Sequence, residues 1–218
     1  MGNVWQSWLR DAGWVDGGVM ALLLAMSLAV WTVVFLKVSR YVGLWHAEND
    51  LSASLAAADS VQELAHLPWG VSLTGQLYQR LAAQLAQRPP RTEDALEGAF
   101  RLALRQVRAG LDDHMTLLAT IGSSAPFIGL LGTVWGILNA LRSLGGVSQL
   151  TLDQVAGPVG QALLATAVGL FTAIPALLAY NTFLRLKTKL VLVLEGNEWH
   201  LHRILLAQYH RPFIPGKD

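Results

Sequence analysis

TIGSSAPFIGLLGTVWGILNA, residues 120–140, carries no charged side chain, four glycines and one proline. The charge-free run around it extends from residue 115 to residue 141. That exceeds the roughly 20 residues a helix needs to cross a bilayer. Gly122, Pro126, Gly129, Thr133, Gly136 and Ala140 recur at helical spacings, so they form a narrow stripe of small residues down one side. Leu130, Leu131, Val134, Ile137 and Leu138 take the other sides. Gly132 and Gly136 form a G-x-x-x-G pair within this segment. In lipid, burial of apolar side chains gives no drive toward a neighbouring helix, and close packing over small residues takes its place. The segment therefore reads as a membrane helix with a packing face at Gly129, Gly132 and Gly136.

The composition agrees. Charged residues make up 14% of the 218 residues and apolar ones 53%, where a soluble domain has about a quarter charged. Net charge is +1, and no pattern for nucleic-acid binding is present. Without cysteine the chain has no disulfide, thiolate metal site or cysteine nucleophile.

Two further charge-free runs give two further spans. Residues 17–36 lie between Asp16 and Lys37, with Arg40, Tyr41 and Trp45 as a basic-aromatic border beyond. Residues 154–184 form a run of 31 without charge, about 46 Å as a helix against a hydrocarbon core of about 30 Å. This third helix is expected to tilt or project, with Pro126 and Pro175 as candidate kinks in the second and third spans. Residues 1–16, with Trp5, Trp8 and Trp14, read as an outer interfacial segment.

The polar section 37–113 reads as helical. Residues 44–67 form one helix ended by Pro68 and Gly70, and residues 73–87 form a second, stopped by RPPR at 88–91. Thr92 is placed to cap a third, with Glu93 and Asp94 in its first turn. Leu96, Phe100, Ala103, Val107 and Leu111 give it helical periodicity, and it is expected to run through Asp113 into the span at 114–141. Arg101, Arg105 and Arg108 share one side of it. Residues 142–153 form a short loop, and 185–218 a tail that is helical at first.

Charge sets the orientation. Residues 37–113 hold eight Lys/Arg and 185–218 hold six, against one each in 1–16 and 142–153. By the positive-inside rule the two basic sections are cytoplasmic. The expected fold is all-α: an integral membrane protein with three transmembrane helices, N-terminus out and C-terminus in, and long helices extending into the cytoplasm.

No Asp, Glu, Lys, Arg or His lies within the charge-free runs 17–36, 115–141 and 154–184 that make the three spans, although proton paths through membranes normally use such groups. Hydroxyls and amides are present instead. On the third span Gln161, Ala165, Gly169, Thr172, Ala176 and Ala179 form a second small, weakly polar stripe. The two stripes either pack on each other within one subunit, or line a central space that receives a helix from another protein. No acid, base and nucleophile cluster near a span, so an enzyme is not expected. The His200/His202 pair points to different sides of a helix and reads as a solvated face rather than a metal site. No cofactor is expected.

Residues 120–140, together with GPVGQALLATAVGLFTAIPALLAYN at 157–181, resemble the ExbB/TolQ/MotA group of inner-membrane motor subunits, most closely ExbB. The resemblance implies a homo-oligomer, a pentamer, in the bacterial inner membrane. It implies a single-span ExbD/TolR-like partner that supplies an acid, and a TonB-like protein energised by the proton-motive force for outer-membrane nutrient uptake. Thr133 in GTVWG and Thr166 in ALLAT match the group's pore-facing threonines, and Gln161 and Thr172 are placed with them as pore-lining. Gly169 joins the packing face. Gln161 stands where the group usually has a glutamate, and a glutamine cannot titrate there, although it can give and accept hydrogen bonds. A TolQ-like envelope-maintenance subunit and a non-conducting membrane scaffold are the alternatives.

Overall fold

The computed structural model describes residues 14–58, 60–64, 66–87, 89–90, 92–143 and 152–209. The expected interfacial segment at 1–16 therefore lies almost wholly outside the described residues, as does most of the loop at 142–153. Among the described residues there are six helices and no strand. They are α1 (Trp14–Ala57), α2 (Val61–Leu64), α3 (Leu73–Gln87), α4 (Glu93–Ala109), α5 (Met115–Ser143) and α6 (Leu152–Tyr209). α1, α5 and α6 are each long and apolar enough to cross a membrane. The chain divides into two compact units, Met1–Leu36 with His114–Thr182, and Lys37–Asp113 with Phe183–Asp218.

The first unit is built inside out relative to a soluble domain. Along the α5–α6 seam its buried positions are mostly small, Ala125, Ala140, Ala162, Ala165, Ala173 and Ala176, while Leu23 of α1 and Leu118 at the start of α5 are buried as well. Its large side chains point outward, with Leu28 71%, Phe127 71% and Phe171 68% exposed. This arrangement is stable only where the surroundings are as apolar as the side chains, as lipid tails are. α5 and α6 run antiparallel along a glycine seam. A Cβ added at Gly122 would lie 2.7 Å from Leu177, one at Gly129 2.8 Å from the Ala165 carbonyl oxygen, and one at Gly136 2.7 Å from the Ala162 Cβ. At Gly169 it would meet the Ala125 carbonyl oxygen at 2.7 Å. α1 closes on the same face, since a Cβ at Gly132 would touch Val19 at 2.9 Å. α5 runs unbroken through Pro126, and α6 through Pro158 and Pro175.

The second unit has an ordinary leucine core, with Leu51, Leu55, Leu64, Leu77, Leu81, Phe100 and Leu194 fully buried. At its centre is a buried carboxylate. Glu48 on α1 is 1% exposed, and its Oε2 accepts the backbone N–H groups of Leu73 at 2.7 Å and Thr74 at 3.2 Å. These are free donors of the first turn of α3, which favours an anion. The other oxygen, Oε1, accepts the Thr74 hydroxyl and the Asn197 amide of α6, the latter at 3.0 Å. One side chain thus ties α1, α3 and α6 together.

Several expectations for this section hold and two need correction. The helix at 73–87 and its stop are as read, and Thr92 caps α4 by accepting from the Ala95 N–H. The helix at 44–67 is not continuous. α1 ends at Ala57, and Ser60 opens α2 with a local capping box, accepting the Glu63 N–H and donating to its carboxylate. Nor does the fourth helix run into the second span. It stops at Ala109, and the chain turns through Gly110–His114, where His114 takes a left-handed φ of 61°. The cause is tertiary. The Leu111 carbonyl, which a continuing helix would have used internally, accepts from Lys37 Nζ at 3.2 Å and Tyr41 Oη at 3.3 Å. Arg40 pairs with Asp113 and Lys187 with Asp112, which hold the turn from both sides. Burial, reinforced by the neighbouring Arg40 charge, holds the Lys37 amine below the usual lysine range, against the opposite pull of Asp113 and Asp112. The basic side of α4 is partly neutralised within the chain, Arg101 by Glu97 and Arg108 by Glu195.

Two substitutions test these packing accounts. Gly129→Ala should cost about 1–3 kcal/mol by forcing the helix backbones apart, whereas Gly157→Ala, where nothing lies within 4 Å, should cost nothing. Thermal unfolding in detergent reads the difference, and equal midpoints for the two variants would contradict the seam. Glu48→Ala leaves buried donors at the start of α3 without an acceptor and should destabilise the second unit by about 2–3 kcal/mol. Limited proteolysis of the 37–113 section under mild denaturant checks this, and wild-type resistance would contradict it.

Candidate functional site

Two polar side chains of the first unit, Thr133 and Thr166, meet at one level of the α5–α6 seam. Because Gly129 has no side chain, α6 comes close enough for Thr166 to reach the α5 backbone. The Thr166 hydroxyl contacts the Gly129 carbonyl at 3.2 Å, and the Thr133 hydroxyl, four residues on in α5, contacts the same carbonyl at 3.0 Å. The two hydroxyls also contact each other. Each has a single hydrogen to give, so only two of these three contacts are donated at any moment. Both can donate to Gly129, or one donates to Gly129 and the other to its neighbour's hydroxyl. The pair can therefore reorient its bonds, and it keeps lone pairs for an incoming donor. It cannot hold a net charge near neutral pH.

The other candidates sit apart from this pair. Thr172 is 1% exposed and its hydroxyl has no partner. It lies six residues, about 9 Å, further along α6. Gln161 precedes Thr166 by five residues and is exposed on the α6 surface rather than turned into the seam. The structure thus brings Thr133, Thr166, Gly129 and Gly169 together within one chain, buries Thr172, and leaves Gln161 outside. Between the two readings of the small-residue stripes, packing within a subunit is what the glycine contacts display.

A further polar contact was not singled out by sequence reasoning. Asp16, in the first turn of α1, hydrogen-bonds Asn139 near the end of α5. The available signal was a lone carboxylate at the edge of the first span and a lone amide near the end of the second. Among the described residues no cluster of three or more His, Cys, Asp or Glu is arranged to hold a metal ion.

Comparison with known proteins places this geometry. The family model described as the MotA/TolQ/ExbB proton channel family matches residues 74–196. Biopolymer transport protein ExbB of Neisseria meningitidis serogroup A / serotype 4A is 40% identical over 207 residues, covering 88% of this chain and 92% of that protein. The ExbB protein of Xanthomonas campestris pv. campestris strain B100 is 34% identical, covering 84% and 79%. The Tol-Pal system protein TolQ of Pseudomonas aeruginosa is 35% identical over 185 residues, covering 73% and 78%. With three helices able to span a bilayer and the Thr133–Thr166 pair within the matched segment, this multi-pass membrane protein belongs to the MotA/TolQ/ExbB proton channel family.

Proposed function

We propose that the chain is the ExbB-like subunit of an inner-membrane motor that uses the proton-motive force to energise a TonB-type protein for outer-membrane nutrient uptake. The observation that carries this reading is the Thr133–Thr166 hydroxyl pair in spans without a titratable side chain at that depth. Such a pair can bond to a protonated or an ionised acid and adapt its direction to either. It needs that acid from elsewhere, and a single-span ExbD/TolR-like helix supplies it. Copies of the chain, five by the family resemblance, surround that helix with the basic 37–113 and 185–218 sections inside the cell. Gln161, exposed on α6, meets the partner helix or the next copy, Thr172 lies along the same wall, and Pro126 and Pro175 bend the helices around the space. The ExbB relatives cover more of the chain than the TolQ one, which favours nutrient uptake over envelope maintenance. Nothing in the site calls for catalysis, and a transport role suffices. The non-conducting scaffold keeps its place only through the amide at position 161.

The test is proton uptake by vesicles that hold the chain and its partner. Thr133→Val and Thr166→Val keep shape and remove the hydroxyls, and each should lower flux with the oligomer intact. Gln161→Leu should also lower it. Gln161→Glu should place a second acid beside the partner's. Repulsion between the two raises at least one pKa, so the midpoint of the pH profile should move upward. Wild-type flux in the valine variants together with an unmoved Gln161→Glu profile would contradict the proposal.

A further inference from the structure

Asp16 is the one carboxylate among the described side chains of the first unit. It is half-buried and lies against α5, where it bonds Asn139. Its Oδ1 is 3.8 Å from the point a Cβ on Gly136 would occupy, and that point is 2.7 Å from the Ala162 Cβ of α6. Three helices thus meet beside this carboxylate, and Ala162 is the direct neighbour of Gln161. A carboxylate in the first turn of a helix is ordinarily explained by the helix dipole and the free N–H groups there. That explanation does not require the side chain to lean onto another helix and give up part of its hydration. Arg142, exposed, is the other charged side chain described at this end, and α6 brings no Asp, Glu, Lys, Arg or His between Ala156 and Thr182, its Tyr180 standing at the opposite end of that stretch.

We infer that Asp16 is the outer proton-binding group of the channel, supplying from α1 the acid that position 161 lacks. This rests on the function proposed above and on its orientation. A hydronium ion in the outer water gives its proton to a carboxylate oxygen of Asp16, forming an O–H bond and neutralising the anion. Release breaks that bond and restores the anion, and the proton passes through water to the partner's carboxylate. Asn139 holds the Asp16 side chain over the seam and can anchor the first such water. Thr133 lies six residues, about 9 Å, along α5 from Asn139. The inward step therefore starts from a fixed carboxylate at the level of Ala162 rather than from bulk water. Asn139 is here a positioning residue and Asp16 the proton carrier.

The experiment uses the chain with its single-span partner in vesicles under an imposed pH gradient. Asp16→Asn keeps the size and the bond to Asn139 but cannot bind a proton. Flux should fall by about tenfold, less than the full loss of a positioned proton-transfer group because water still reaches the mouth. Its dependence on outer pH should flatten, and Asp16→Glu should restore both. A wild-type complex that conducts while Asp16→Asn matches it in rate and pH profile overturns the role of Asp16 and leaves the channel reading standing. An assembled wild-type complex that does not conduct overturns both. Should Asp16→Asn fail to assemble, isotope-edited infrared spectra of the aspartate-labelled wild-type complex decide. A carboxyl band that grows on acidification over the pH range in which flux changes, and that Asp11→Asn and Asp153→Asn leave in place, supports the proposal, and its absence overturns it.

Discussion

The contact of α5 and α6 at Gly129 and Gly169 is the constraint on which the membrane unit depends. No side chain separates the two helices there, and a Cβ on either glycine would strike a backbone carbonyl of the opposing helix, Ala165 or Ala125, at under 3 Å. Lipid gives apolar side chains no reason to turn inward, so helices associate through close packing and weak bonds. This explains why the seam buries alanines and glycines while Phe127, Phe171 and most leucines of α5 and α6 face outward. It also explains where the polar groups can be. At the level of Gly129 the gap is narrow enough for two threonine hydroxyls from different helices to share one carbonyl. Packing and chemistry are therefore one feature: the glycine that permits the approach also exposes the acceptor.

The second unit follows different physics. Its core is leucine and phenylalanine, and its polar links are buried and strongly bonded, as at Glu48. α1 and α6 each give one portion to the membrane unit and the remainder to this one. The turn at Gly110–His114, held by Lys37, Tyr41, Arg40 and Lys187, fixes where α5 begins.

Much of this was legible in the sequence because it is local or periodic. The three spans follow from charge-free runs, the helix at 73–87 from its proline stop, and the Thr92 cap from its side chain and the acids after it. The stripe containing Gly129 and Thr133 was visible as spacing, and so was its counterpart containing Gly169. The misses have two causes. At Ser60 a local capping box was overlooked because apolar periodicity ran past it. The fourth helix stops at Ala109 because side chains 70 and 74 residues from Leu111 claim the Leu111 carbonyl, and no local pattern carries that information. The Glu48 link joins residues 25 and 149 apart and was equally hidden. Gln161 and Thr166 are five residues apart, yet one is exposed and the other turned into the seam. Spacing along α6 groups them, and packing against α5 separates them.

The central claim is that at the depth of Thr133 and Thr166 this chain forms a neutral, hydrogen-bonding wall, and that the acid at that depth, without which the path from Asp16 is incomplete, comes from a second protein. The most direct measurement is proton flux into vesicles that hold the chain alone, its single-span partner alone, or both, under the same imposed gradient. The account predicts flux only when both are present, lost again when the partner's membrane carboxylate is replaced by its amide. Equal flux through the chain alone, or flux indifferent to that carboxylate, would contradict it.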